Sequence, residues 1–246
     1  MTRAPAWHTA EVSALAPETD RGRRITLEVP DWPGNDAGQH LDIRLTAPDG
    51  YQASRSYSIA TAGSGTAIEL AVELVEGGEV SGFLVRDLLV GDRLEIRGPL
   101  GGWFVWRPAD EPSRPVQLIA GGSGVVPAAA MLRAHAAAAS STPMRLLHAV
   151  RSPAQTFYGT EIDALAARDP AIGVDRVYSR AAPPGAHRRA GRLTVDLLAD
   201  LTVPADQQPR LFVCGSTPFV EQVLRWLAEL GHAVDEARAE RFGGAR

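Results

Sequence analysis

A short segment in the first half of the chain has the residue types that bind a ligand with a phosphate beside a planar ring. The segment reads Arg55-Ser56-Tyr57-Ser58 and lies inside a predicted strand. Because side chains alternate along a strand, we expect Arg55 and Tyr57 on one face and the two serines on the other. A guanidinium makes forked hydrogen bonds to phosphate, and a tyrosine ring stacks on a flat heterocycle. Taken alone, the segment also fits a solvated strand with two amphipathic side chains.

A second candidate for phosphate binding follows about twenty residues later. The glycines Gly77 and Gly78 lead to Ser81, which predicts a short helix capped by Ser81 and ending near Leu89. Free amide groups at a helix N-terminus attract anions. A capped helix without any ligand is the alternative interpretation.

The second half opens with a strand that runs into a glycine turn, Gly121-Gly122-Ser123-Gly124, followed by Pro127 and an alanine-rich helix. A strand, a glycine turn and a helix form a phosphate-binding geometry. The turn departs from the dinucleotide fingerprint because a proline stands at the third glycine position and no acid follows about 20 residues on. A glycine turn without a ligand remains the alternative.

The only cysteine, Cys214, is followed by Gly215 where another apolar strand passes into a helix. One thiol can form neither an internal disulfide nor the ligand set of an iron-sulfur cluster, so a redox group here is expected to be organic. The histidines show no paired spacing of the zinc-binding kind, and no metal site is predicted. Burial of Cys214 as a packing residue is the alternative to a role in a site.

The elements before these second-half motifs are short strands with alternating apolar and polar residues. This pattern puts one face of each strand on a core and predicts an antiparallel β-barrel over residues 1–108. A polar, proline-rich stretch at 107–115 predicts a domain boundary. The predicted strands are 24–29, 40–46, 55–59, 67–74 and 93–97.

Residues 115–246 alternate strands with helices, which predicts an α/β domain with a parallel sheet and crossover helices. In such sheets ligands bind at the carboxyl ends of the strands. The predicted strands are 116–120, 145–149, 174–178 and 210–213, and the predicted helices are 128–139, 159–167, 194–198 and 218–231.

The composition argues against several function classes. The chain has 246 residues, 45% of them hydrophobic and 22% charged, and a formal net charge of -4. It therefore lacks the basic surface of a nucleic-acid-binding protein and the basic amphipathic stretch of a membrane-surface protein. The N-terminal region has no continuous apolar run of the signal-peptide kind. We expect a cytoplasmic protein with no nucleic-acid partner and no membrane insertion.

Taken in order, these motifs resemble the ferredoxin-NADP reductase superfamily, from about Trp7 to Phe242. The resemblance implies a barrel that binds FAD and an α/β domain that binds a nicotinamide cofactor, without an iron-sulfur domain in this sequence. It implies that Tyr57 stacks on the flavin, that Ser58 lies near flavin N5 and that Cys214 lies beside the nicotinamide. These three are the candidate catalytic residues.

The resemblance also implies a set of cofactor-binding residues. The flavin would contact Arg55, Ser56, Tyr57, Ser58, Gly78, Val80, Ser81 and the C-terminal Phe242. The nicotinamide cofactor would contact Gly121, Gly122, Ser123, Gly124, Cys214 and Gly215.

The choice of nicotinamide cofactor depends on charges after the second and third strands of the α/β domain. Arg151 follows the second strand, and Ser179 and Arg180 follow the third, with Arg188 and Arg189 in the next loop. Cations at this place bind the 2′-phosphate of NADP, whereas NAD sites of the common type carry an acid. We predict a preference for NADPH, with NADH possible. A solvated basic loop is the alternative.

The function implied is oxidation of NAD(P)H by bound FAD, followed by single-electron transfer to a separate acceptor protein. One alternative is a flavin reductase, for which flavin is a substrate that binds and leaves. A second alternative, from another class, is a non-catalytic nucleotide-sensing module on the same fold.

Overall fold

The chain forms two compact units, residues 1–106 and residues 107–246, here called the barrel unit and the sheet unit. The computed structural model describes residues 6–110 and 114–243. Glu111, Pro112 and Ser113 of the predicted boundary stretch therefore lie outside the described residues.

The barrel unit is built on a six-stranded antiparallel sheet with the order β4-β3-β6-β1-β2-β5. An antiparallel bridge between Ile59 and Leu70 joins the two ends of this sheet and closes it. Buried side chains such as Ile25, Leu41 and Ile96 fill the interior, as the predicted alternation requires. The predicted barrel is confirmed. Its strands are β1 (Trp7–Thr19), β2 (Gly22–Glu28), β3 (His40–Thr46), β4 (Gln52–Ser58), β5 (Ala67–Glu73) and β6 (Arg93–Leu100).

The longest strand, β1, was not predicted from the sequence. It pairs with both β2 and β6, and its pairing with β2 shifts register between Val12 and Ala14 and again between Pro17 and Thr19. Each bulge inserts a residue and reverses the faces that follow, so the alternation of apolar and polar residues is lost.

A single helix, α1 (Glu79–Arg86), connects β5 and β6 and buries Val80 and Leu84 against the barrel. The prediction that Ser81 caps this helix is wrong. Gly78 is the N-cap, and Ser81 lies inside the first turn, where its hydroxyl accepts a hydrogen bond of 3.2 Å from the Val75 amide. The serine therefore ties down the preceding turn and leaves the helix start without a side-chain cap.

The sheet unit has five parallel strands in the order β11-β10-β7-β8-β9. This confirms the predicted parallel α/β domain. The strand order reverses between β7 and β10, the place where parallel sheets open a crevice for ligands. The strands are β7 (Val116–Gly121), β8 (Met144–Val150), β9 (Ile172–Tyr178), β10 (Arg210–Ser216) and β11 (Arg238–Phe242), and the helices are α2 (Val126–Ala137), α3 (Gly159–Arg168), α4 (Val195–Leu201) and α5 (Thr217–Glu229).

The final strand, β11, is missing from the predicted strands, the last of which was 210–213. After α5 the chain returns as β11, which pairs in parallel with β10 alone. Its sequence, Arg-Ala-Glu-Arg-Phe, is rich in charges because an edge strand is solvated along one side. The apolar run that predicts a buried strand is therefore missing.

The described parts of the chain contain neither a helix that could span a membrane nor a cluster of metal-ligating side chains. None of the helices there is long and apolar enough to cross a membrane. Across residues 6–110 and 114–243, no three His, Cys, Asp or Glu side chains come together as a metal site.

Candidate functional site

Arg55 and Tyr57 stand side by side on β4 in the barrel unit. Arg55 is exposed, and within the described residues its guanidinium donates a hydrogen bond only to the neighbouring carbonyl of Ser54, at 2.7 Å. Tyr57 is partly buried and packs against the barrel core. Burial raises the pKa of the Tyr57 phenol, and the nearby charge of Arg55 opposes that shift. The pair therefore offers a cation with free donors beside an aromatic ring that stays protonated.

The two serines of the segment have different surroundings. The Ser56 hydroxyl donates a hydrogen bond of 2.6 Å to Asp42, which also accepts one of 2.6 Å from Arg97. Burial of Asp42 opposes its ionisation, but these hydrogen bonds outweigh it and lower the pKa of the carboxyl. The Ser56 hydroxyl is thus already hydrogen-bonded within the barrel unit. Ser58, the last residue of β4, is half-buried.

The start of α1 packs near β4 and presents backbone donors. No side chain among the described residues caps this helix, so its first amides lack the partner that a capping side chain supplies. The side chains of Val80 and Ser81 are buried, and the amides following Gly78 are what a ligand could contact. Glu79, in the first turn, accepts a hydrogen bond of 3.1 Å from the Tyr51 hydroxyl. One acid at the helix start is therefore already engaged.

In the sheet unit, the glycine turn lies at the end of β7 against the end of β10. Gly122 has a φ of 57°, in the left-handed region that favours glycine. A Cβ on Gly124 would lie 2.5 Å from the Cys214 carbonyl oxygen, and a Cβ on Gly121 would lie 2.7 Å from the Phe219 ring. Side chains are excluded at both positions, which leaves Ser123, half-buried, as the only side chain of the turn.

Cys214 and Gly215 lie near the carboxyl end of β10, in close contact with this turn. Cys214 is only 4% exposed, and burial, followed by the charge of Glu240, raises the pKa of its thiol. Cys214 is thus a neutral thiol and not a prepared nucleophile. A Cβ on Gly215 would lie 2.7 Å from the Phe219 ring.

Two residues of this region were missed by sequence reasoning. Glu240 on β11 is in register with Cys214, which the sequence could not reveal because β11 was not predicted. His148 on β8 has a ring nitrogen, Nε2, 2.9 Å from the carbonyl oxygen of Gly122. Its only sequence signal is a histidine within an apolar strand, Leu-Leu-His-Ala-Val.

The basic residues predicted to bind the 2′-phosphate lie at the ends of β8 and β9. The amides of Arg180 and Ala181 donate hydrogen bonds of 2.9 and 3.1 Å to the Arg151 carbonyl, and the Ser179 amide donates one of 2.8 Å to Val150. The fold thus brings Arg151, Ser179 and Arg180 together. Both arginines are exposed, and no side-chain partner engages either guanidinium within the described residues.

The other two predicted arginines, Arg188 and Arg189, lie in the loop after β9 and have different surroundings. Arg188 lies 3.6 Å from Asp175 on β9, so its charge is partly neutralised by that acid. Arg189 is exposed and forms no ion pair with the described residues. Arg189 is therefore the better placed of the two to supply a free cation.

Phe242 ends β11, in register with Ser216, and is 40% exposed. It therefore lies at the same carboxyl edge of the sheet as Cys214 and the glycine turn. An aromatic side chain that is exposed at such an edge is available to a ligand.

Each unit thus has features that fit a nucleotide. The barrel unit combines the Arg55 guanidinium, the Tyr57 ring and the uncapped start of α1, which fit the phosphates and the ring of a flavin nucleotide. The sheet unit combines a close-packed glycine turn with two free guanidiniums at one sheet edge, which fit a dinucleotide phosphate.

Two family models match the chain. The model of the oxidoreductase FAD-binding domain matches residues 23–105, and that of the oxidoreductase NAD-binding domain matches residues 118–225. The first match lies within the barrel unit and the second within the sheet unit.

Individual proteins are also similar to this chain over most of its length. A flavohemoprotein of Pseudomonas putida is 34% identical over 210 residues, which are 85% of this chain and 51% of that protein. The reductase component of the naphthalene 1,2-dioxygenase/salicylate 5-hydroxylase systems of a Ralstonia species is 29% identical over 231 residues, 94% of this chain and 67% of that protein. The chain spans about half the length of the flavohemoproteins that it matches.

Solved structures share the whole fold. The Amycolatopsis cytochrome P450 reductase GcoB is 28% identical with a TM-score of 0.84, covering 98% of this chain and 71% of that chain. The flavohem-like FAD/NAD-binding domain of a Vibrio cholerae nitric oxide dioxygenase is 25% identical with a TM-score of 0.83, covering 98% of this chain and 100% of that chain.

Proposed function

Because the chain belongs to the ferredoxin-NADP reductase superfamily of FAD- and NAD-binding oxidoreductases, we propose that it oxidises a reduced nicotinamide cofactor and passes the electrons to a separate redox protein. The observation that carries the proposal is the pairing of two nucleotide-suited sites, one in each unit. Bound FAD would supply the chemistry, by accepting a hydride and releasing electrons singly.

In the barrel unit, Arg55 and the amides after Gly78 would hold the flavin diphosphate. Within the described residues no side chain caps these amides, and the Arg55 guanidinium donates only to the Ser54 carbonyl. Tyr57 would stack on the ring system, with its burial keeping the phenol protonated and its ring fixed. Ser58, next along β4, would donate a hydrogen bond to the flavin near N5.

In the sheet unit, the backbone of the glycine turn would lie against the cofactor diphosphate, because no side chain intervenes at Gly121, Gly122 or Gly124. Cys214 and Gly215 would border the nicotinamide ring at the carboxyl edge of β10. Hydride transfer requires no general acid or base, so the work of these residues is orientation.

The proposal of a separate acceptor is supported by what several relatives are called. The Ralstonia protein is the reductase component of oxygenase systems, and a relative from Chromohalobacter salexigens is a glycine betaine monooxygenase reductase subunit. By analogy, the acceptor of this chain would be a redox protein that takes one electron at a time.

The test is the visible spectrum of the purified protein before and after anaerobic addition of NADPH or NADH. We expect a yellow protein whose flavin extracts as FAD and whose colour bleaches on addition of the nicotinamide. A protein that takes up no FAD contradicts the proposal. Loss of colour on gel filtration favours a flavin reductase, and retained colour without bleaching favours a nucleotide-sensing module.

The first prediction concerns cofactor choice. Changing Arg180 to Ala should raise the Michaelis constant for NADPH about tenfold, or ~1.4 kcal/mol, and leave that for NADH nearly unchanged. The reason is that Arg180 is an exposed cation with no ion-pair partner in the part of the chain that the structure describes, and at the sheet edge it would contact the 2′-phosphate. Steady-state kinetics with both cofactors is the measurement.

A matched control is Arg168→Ala, which removes an exposed arginine from the last turn of α3. It should leave both constants unchanged. If wild type already prefers NADH, or if Arg180→Ala weakens both cofactors equally, the assignment of the 2′-phosphate to this edge is wrong.

The second prediction concerns Cys214. Changing it to Ala should slow flavin reduction by about tenfold, equivalent to ~1.4 kcal/mol of barrier, while FAD stays bound. The thiol would help to position the nicotinamide and would not touch the flavin phosphates. Stopped-flow reduction at saturating cofactor measures the rate, with Cys214→Ser as the variant that keeps a small polar side chain. An unchanged rate in the Ala variant would identify Cys214 as a packing residue.

A further inference from the structure

A buried histidine supports the glycine turn from the neighbouring strand. His148 is 0% exposed, and its Nε2 lies 2.9 Å from the carbonyl oxygen of Gly122. We propose that His148 is a positioning residue, which fixes the glycine turn in the conformation that binds the nicotinamide dinucleotide. This inference rests on the proposed function of the sheet unit.

The direction of the hydrogen bond follows from the chemistry of the two groups. A carbonyl oxygen only accepts, so Nε2 must carry the proton and donate it. Burial lowers the pKa of His148 to about 4; the hydrogen bond to Gly122 opposes this shift, and the nearby charge of Arg176 acts in the same direction as burial. The ring is therefore neutral around pH 7, protonated at Nε2 and bare at Nδ1.

The other ring nitrogen of His148, Nδ1, shows that burying this histidine destabilises the fold. Nδ1 is buried and has no hydrogen-bond partner within the described residues. Leaving a buried polar atom without a hydrogen bond destabilises the folded state, and such atoms in a native protein call for an explanation. The packing of the strand does not require an imidazole here, because the two residues that precede His148, Leu146 and Leu147, are apolar core residues. The bond to Gly122 is the gain that offsets this cost.

The turn gains from such a support because glycine restricts the backbone less than any other residue. Three of its four residues are glycines, and Gly122 has a φ of 57°, one of several conformations open to glycine. Gly124 is held by close packing on the Cys214 carbonyl. His148 supplies the second attachment from the opposite side, since β8 and β10 flank β7 on its two sides. The turn is thus held between two strands before any ligand binds.

The experiment compares His148→Leu, which removes the donor, with His148→Gln, whose amide can donate from about the same place. The full chain is titrated with NADP⁺ and with NAD⁺ by calorimetry, while FAD content and thermal unfolding are measured in parallel. We expect a dissociation constant about tenfold higher in the Leu variant and within about threefold of wild type in the Gln variant, with FAD content unchanged.

Several results would overturn the inference. One is a Leu variant that binds the probe as tightly as wild type. Another is a Gln variant that folds like wild type but binds no better than Leu. Wild type that binds neither NADP⁺ nor NAD⁺ contradicts the proposed function itself and removes the basis of this inference.

A measurement on wild type keeps the inference testable if the Leu variant does not fold. Nitrogen NMR of the histidine rings should show His148 as the neutral Nε2-protonated tautomer at pH 7, with a signal that moves when NADP⁺ is added. An Nδ1-protonated ring would mean that the hydrogen bond to Gly122 does not exist.

Discussion

Replacing Gly124 with alanine is expected to weaken nicotinamide binding by on the order of a hundredfold and to lower the free energy of unfolding by about 3 kcal/mol. The added Cβ would lie 2.5 Å from the Cys214 carbonyl oxygen and 2.7 Å from its carbon. Both are backbone atoms of a central strand, so neither can move without disturbing the pairing of β10. Urea unfolding and titration with NADP⁺ measure the two effects.

Two other glycines of the sheet unit serve as graded controls. Gly122→Ala meets no atom within 4 Å but is strained by its φ of 57°, so it should cost only about 1 to 2 kcal/mol. Gly191→Ala meets neither obstacle and should be close to neutral. If Gly124→Ala is as mild as Gly191→Ala, the glycine turn is looser than the close packing indicates.

Replacing Arg55 with alanine should weaken FAD retention by about 2 kcal/mol or more, close to a 30-fold rise in the dissociation constant. No acid pairs with this guanidinium in the described residues, and its one hydrogen bond goes to the adjacent Ser54 carbonyl. Most of its donors are thus available to a flavin phosphate. Titration of the apoprotein with FAD, followed by flavin fluorescence, gives the dissociation constant.

Arg55→Lys separates charge from geometry, because an ammonium keeps the charge and loses the fork. It should fall between wild type and the Ala variant. Arg86→Ala is the matched control, since it removes an exposed arginine from the last turn of α1, at the opposite end of that helix from the amides after Gly78. Equal FAD affinity in wild type and Arg55→Ala would mean that Arg55 does not contact the flavin.

The architecture was predictable because each unit has a regular pattern in its sequence, apolar and polar residues in turn in the barrel unit and strands and helices in turn in the sheet unit. Alternation in stretches such as 67–74 identified strands with one buried face, and β3 was predicted with its observed bounds, His40–Thr46. Strand and helix alternation after residue 115 identified the parallel sheet. What failed was β1, where two bulges interrupt the alternation, and β11, whose edge position allows charged residues.

The candidate site was predictable where its residues are neighbours in sequence. Arg55 and Tyr57 are two apart on a strand, so one face could be assigned from the period alone. The Ser81 cap was mispredicted because a serine near a helix start can bond either to helix amides or to the preceding turn. The partner of Gly124 lies on β10 and that of His148 lies in the turn after β7, so both contacts depend on strand order, which no local pattern contains.

The burial of Cys214 also determines how the protein responds to thiol chemistry. Alkylating reagents and peroxide attack the thiolate, and a buried thiol with a raised pKa supplies almost none of it. The folded protein should therefore withstand oxidants that inactivate enzymes with exposed cysteines. As the only thiol in the chain, Cys214 becomes reactive when the sheet opens around β10, so the rate of its labelling by a maleimide dye reports how often that opening occurs.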